Sequence, residues 1–138
     1  MNPILAIVVG ATLLTVVTIA YGGTFLLRVA TGGYPFNDLQ KSFFRAGHAH
    51  AGVLVILGLV CVLAQDAAGV GGGWEWAAVG VLVAAILISA GFFLSVLGRD
   101  PQRPGRAIAI LWIGVTVLTV ALLAVGISII IAGASALG

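Results

Sequence analysis

Residues 107–132 read AIAILWIGVTVLTVALLAVGISIIIA, a run without one charged side chain. At about 1.5 Å per residue, a helix of that length exceeds the roughly 30 Å of a bilayer's hydrocarbon core. A membrane strand would alternate apolar and polar positions, and this run does not alternate. Three more apolar runs lie upstream, at about residues 3–27, 46–64 and 74–97, the last with Glu75 at its very start. None contains Lys or Arg, and every acid in the chain (Asp38, Asp66, Glu75, Asp100) falls in or beside a connection. The reading is an all-α integral membrane protein. It forms a single domain over residues 1–138, a four-transmembrane-helix bundle with helices at about 3–27, 38–64, 74–97 and 107–132.

Composition agrees. The 138 residues are 62% hydrophobic and 7% charged, and mean hydropathy is +1.26. A soluble domain carries roughly a quarter charged residues, so lipid has to solvate most of this surface. The net charge of +2 does not point to nucleic acid. Its six basic residues are confined to two connections: Arg28, Lys41 and Arg45 in the first, and Arg99, Arg103 and Arg106 in the third. The positive-inside rule then predicts loops 28–45 and 98–106 in the cytoplasm, an N-out/C-out chain, and anionic headgroups as partners of the basic loops. A bacterial plasma membrane is the expected location. Met1-Asn2-Pro3-Ile4 has no basic n-region, so the first run is expected to remain as a helix. Cys61 stands alone in an apolar run and has no partner for an intramolecular disulfide.

Local signals set the connections. Asn37 followed three residues later by Gln40 predicts a variant capping box at the start of helix two. Gly69 and Gly71–Gly73 predict a turn, Trp74 and Trp76 an interfacial anchor, and Pro101 with Pro104 a bounded third connection. Small residues four apart predict helix seams at Ala6/Gly10, Gly47/Ala51, Gly80/Ala84 and Ala124/Ser128. Thr12, Thr15 and Thr18 are expected to bond to their own helix's carbonyls.

The distinctive constellation is Arg45-Ala46-Gly47-His48-Ala49-His50-Ala51-Gly52, which holds both histidines of the chain. Imidazole ligates metals and haem iron, and ionisable residues inside a span usually serve a function. At about 100° per residue, His48 and His50 point roughly 200° apart, so one helix cannot offer both to one ion. A histidine-rich site would need a second copy of the chain, with His50 side chains binding metal or clamping haem across a homo-oligomer. A single axial histidine, with the other haem face open or met by Tyr21 or a similar group, is the other arrangement. Gly47, Ala49, Ala51 and Gly52 would leave space for a flat macrocycle or for another helix. Arg28 or Arg45 would pair with Asp38, a headgroup or a propionate. Tyr21, Thr24, Arg28, His48, Ser95, Arg99, Arg106 and Trp112 all belong to the same membrane side, as one prospective polar cluster. The bland alternative is that both histidines simply sit at the interface.

Arg45-x-x-His48-x-His50 followed by Gly58 resembles helices of small membrane proteins related to haem-copper oxidase subunit I. In that superfamily, paired histidines near helix ends bind haem or copper, so the resemblance implies a ligand role for His48 and His50. The chain departs from the pattern in having no histidine on any other helix and no catalytic tyrosine motif. An oxidase is not expected.

Three functions follow as expectations. The first is a protein binding haem or a transition metal (copper or zinc) at the His-x-His site. The second is a non-catalytic subunit of a larger membrane complex. The third is a small oligomeric channel, disfavoured for proton coupling because no carboxylate lies within a span. No nucleophile elbow, phosphate loop or Cys-x-x-Cys occurs, and the chain is not expected to be an enzyme.

Overall fold

A computed structural model describes residues 1–138. Four helices, each long and apolar enough to cross a membrane, make an all-helical bundle: α1 Pro3–Ala30, α2 Asp38–Ala67, α3 Ala77–Ser95 and α4 Ile108–Ser135. The ends have local causes. Pro3 opens α1 where a missing N–H costs nothing, and the Asn2 side chain accepts from the Ile4 N–H. α2 opens on a complete capping box between Asn37 and Gln40. The run from residue 74 is not one helix. Gly73, at φ +91°, leads into a 3₁₀ turn over Trp74–Trp76 before α3 begins. α3 also stops at Ser95, short of the predicted Leu97.

The core lies among α2, α3 and α4. Cys61 and Val62 pack with Ala78, Val81, Ala121 and Val125 toward one end. Leu54 and Val55 pack with Ala84, Ala85 and Ile88 nearer the middle. α1 rests against α2 at the edge of the bundle, with only Leu5 and Val29 buried. Two of the three threonines of α1 behave as expected: Thr15 donates to the Thr12 carbonyl at 2.7 Å and Thr18 to the Thr15 carbonyl at 2.6 Å, while the Thr12 hydroxyl makes no such bond.

Close helix approach falls on glycines. A Cβ at Gly47 would lie 2.8 Å from the Phe93 ring, and one at Gly80 2.9 Å from the Ala121 Cβ. At Gly58 it would overlap Leu82, at Gly91 it would meet the Leu111 backbone, and at Gly114 the Ile88 backbone. Two of the predicted seams, Gly47/Ala51 and Gly80/Ala84, therefore touch a neighbouring helix through their glycines. Ala6/Gly10 does not: both residues are exposed and nothing lies within 4 Å of a Cβ at Gly10. α1 turns that pair away from α2.

The two basic connections are tied together. The Asn37 amide donates to Asp100 Oδ1 at 2.7 Å and to the Pro101 carbonyl at 2.8 Å, while its own oxygen caps α2. Gln40, 1% exposed, donates to the Val96 and Gly98 carbonyls, each at 3.1 Å. Phe25, Tyr34, Phe36, Phe44 and Phe93 stack beside this clamp and seat the end of α1 on α2 and α3. At the opposite end, Gln65 donates to the Trp74 carbonyl at 3.0 Å and to Ser128 Oγ at 2.8 Å. Asn37→Ala removes both the cap and the loop tie. Its expected cost is about 1–2 kcal/mol, read as a lower unfolding midpoint in detergent. An unchanged midpoint would show that the tie contributes nothing.

Candidate functional site

The His-x-His segment lies inside α2, about three turns from its capped start. Nothing in it breaks the helix, so the two rings diverge as the 100° rotation requires. His48 is half-buried and faces α1. Its Nδ1 lies 3.5 Å from where a Gly22 Cβ would be, and its Nε2 3.8 Å from where a Gly23 Cβ would be. Two adjacent glycines give α1 a notch that takes an imidazole ring.

His50 is exposed on the α3 side of α2, its ring 5.0 Å from that of Phe92. Phe43 also meets Phe92 edge-on, at 5.5 Å. His50 Nδ1 sits 2.7 Å from the Ala46 carbonyl. A carbonyl only accepts, so Nδ1 carries the proton and donates. In the neutral ring, Nε2 then keeps its lone pair free on the outer face. That is how protein-held histidine ligands are usually oriented, the second nitrogen anchored on a carbonyl.

The surroundings separate the other candidates. Tyr21 is 77% exposed on α1, whereas His50 sits beside α3. Arg28 and Arg45 are exposed at the basic end, with Arg45 Nε donating to the Lys41 carbonyl at 3.3 Å. Asp38 pairs with Lys41 at 3.7 Å rather than with either arginine. The prospective eight-residue polar cluster does not form. Trp112 is 64% exposed, Thr24 turns back to the Tyr21 carbonyl, and Ser95 turns back to that of Phe92. The Thr24 and Ser95 hydroxyls are satisfied within their own helices and Tyr21 points away, which leaves nothing to hold the groups together. Of the residues proposed as space for a macrocycle, Gly47 is filled by Phe93 and Phe92, while Ala49 and Gly52 border open space.

No three His, Cys, Asp or Glu side chains converge within one chain. Two features escaped the sequence reading. Gln65 is fully buried with its Oε1 unpaired, and Ser89 has a buried hydroxyl with no partner. A polar residue isolated in an apolar run was the available signal for Ser89.

Fold and site together define a four-helix integral membrane protein that carries one half-buried and one outward histidine on the same helix. No protein-family model, curated protein or solved structure matches the chain.

Proposed function

We propose that this chain is a haem-binding membrane protein in which two copies each supply His50 as an axial ligand. The observation that carries the reading is the anchored His50 ring, with Nδ1 held on the Ala46 carbonyl at 2.7 Å and Nε2 free at the surface. Haem is favoured over copper or zinc by donor counting. A porphyrin brings four nitrogens of its own and needs only two from protein, whereas a bare ion held by protein side chains usually takes three or four. Ala46 and Ala49, beside His50 on α2, carry no side chain beyond Cβ and leave room for a flat ring. Arg45 lies about 7.5 Å along the axis toward the basic end, where a guanidinium pairs well with a propionate. Arg28 serves the same end from α1. Such a haem supplies one-electron transfer, and the chain's own residues bind it, orient it and exclude water. The resemblance of Arg45-x-x-His48-x-His50 to helices related to haem-copper oxidase subunit I supports ligation but not oxidase chemistry. The basic end faces the cytoplasm of a bacterial plasma membrane, where its arginines meet anionic headgroups.

The test is an absorption spectrum of protein purified in mild detergent after haem supplementation, with metal analysis alongside. A Soret band at about one haem per two chains is expected, absent in His50→Ala and retained in His48→Ala. A colourless wild type, or colour that survives His50→Ala, sinks the proposal.

One observation favours a second reading, a non-catalytic subunit of a larger membrane complex. The Ala6/Gly10 pair on α1 faces outward and unfilled, in the form that lets another helix approach closely. Copurification of a defined membrane partner, lost in Gly10→Leu, supports that reading. Purification of a homogeneous single-chain species removes it.

A further inference from the structure

Phe92 and Phe93 are neighbours on α3, and both meet α2 at Gly47. A Cβ at Gly47 would lie 2.8 Å from the Phe93 ring and 3.1 Å from the Phe92 Cβ. The two rings then serve different ends. Phe93 stacks on Phe44 at 5.5 Å and so joins the aromatic group that seats α1. Phe92 lies beside His50, with ring centres 5.0 Å apart and planes at 36°. It also packs against the core around Leu54 and Ile88, so a loss of stability alone would not reveal a role at His50.

What holds the His50 ring decides where its Nε2 points. The Ala46 carbonyl, 2.7 Å from Nδ1, gives the ring one fixed point. The torsion about the histidine Cβ–Cγ bond is broad, so rotamer preference adds little. One hydrogen bond of ordinary net strength favours this position about tenfold over the others. That leaves roughly a tenth of the rings aimed elsewhere. A contact between aromatic rings contributes about another two- to tenfold, and Phe92 is the ring that makes it.

We propose that Phe92 is a positioning residue for the ligand nitrogen of His50, fixing the plane in which the imidazole is presented. The proposal rests on the haem reading, in which two copies related by two-fold symmetry then offer their ring planes at one angle. Two readouts test it. The first is nitrogen NMR of haem-free, histidine-labelled protein in a His48→Gln background, which leaves His50 as the only histidine. Separate signals are expected for a protonated Nδ1 and a bare Nε2. Phe92→Leu draws them together by about a tenth of their separation, the share of rings released from the carbonyl. Phe92→Tyr, which keeps the flat ring, restores them. The second readout is the electron paramagnetic resonance of the ferric haem complex, which senses the angle between the two imidazole planes. One sharp low-spin set is expected in the wild type and a broadened one in Phe92→Leu. Haem affinity stays within about twofold, because most rings are still correctly aimed. Unchanged nitrogen signals in Phe92→Leu, or a Phe92→Tyr chain that behaves like Phe92→Leu, overturn the proposal. A colourless wild type ends the haem reading instead, and the haem-free signals still decide whether Phe92 positions the ring.

Discussion

Gly91→Ala is expected to destabilise the folded bundle by about 2–3 kcal/mol, at the upper end of the usual cost of overpacking. A Cβ at Gly91 would stand 2.5 Å from both the backbone nitrogen and the Cβ of Leu111. No rotamer change relieves a clash with backbone, so α4 would have to move away from α3 as a body. In lipid the hydrophobic effect does not drive helices together, and contact itself supplies most of the association energy. Separating these two helices therefore removes much of what holds the bundle. Gly10→Ala is the control: nothing lies within 4 Å of its Cβ, and better helix propensity is expected to leave stability level or raise it by about 0.5–1 kcal/mol. Unfolding in a denaturing detergent titration reads both. Equal midpoints for the two variants would show that the α3–α4 contact is not tight.

Gln40→Leu is expected to cost about 3 kcal/mol and to loosen the third connection. Gln40 is 1% exposed, and its amide is the side-chain donor to two loop carbonyls, those of Val96 and Gly98. Its oxygen also receives the Asn37 N–H at 3.2 Å. Leucine fills the space but leaves these groups short of partners, at about 1–3 kcal/mol for a buried unpaired group. Gln40→Glu keeps the acceptor, loses both donors and turns a carboxylate toward carbonyls, so it is no milder. Unfolding midpoints and the rate of trypsin cleavage at Arg99 and Arg106 measure the two consequences. Wild-type cleavage rates in Gln40→Leu would mean that the clamp does not hold the loop. Gln65→Leu is expected to be less damaging, because the Gln65 oxygen is already unpaired in the native fold.

These residues show where sequence reading succeeds and where it stops. The capping box at Asn37 was legible because it is a local event, complete within four residues. The same two side chains also clamp a loop some sixty residues away, as in the Asn37–Asp100 bond, where |i−j| is 63. Nothing in a local pattern announces such a partner. The divergence of His48 and His50 was legible too, because helix geometry alone sets it. Which ring would meet α1 and which would stay outside depended on the Gly22–Gly23 notch and the position of Phe92.

By itself the sequence determined the four spans, their antiparallel order and the collection of all six basic residues at one end. A helix crosses hydrocarbon only where about 20 residues run without charge, and that constraint is written directly into composition. Only the tertiary structure decided that α1 lies at the edge, that Gly58, Gly91 and Gly114 rather than Ala6/Gly10 carry close contacts, and that the Ser89 hydroxyl is buried without a partner. The physical reason is the solvent. In water a helix marks its buried side by being apolar there and polar elsewhere. In lipid it is apolar all round, so its packed face is chosen by shape, and shape exists only once the helices have met.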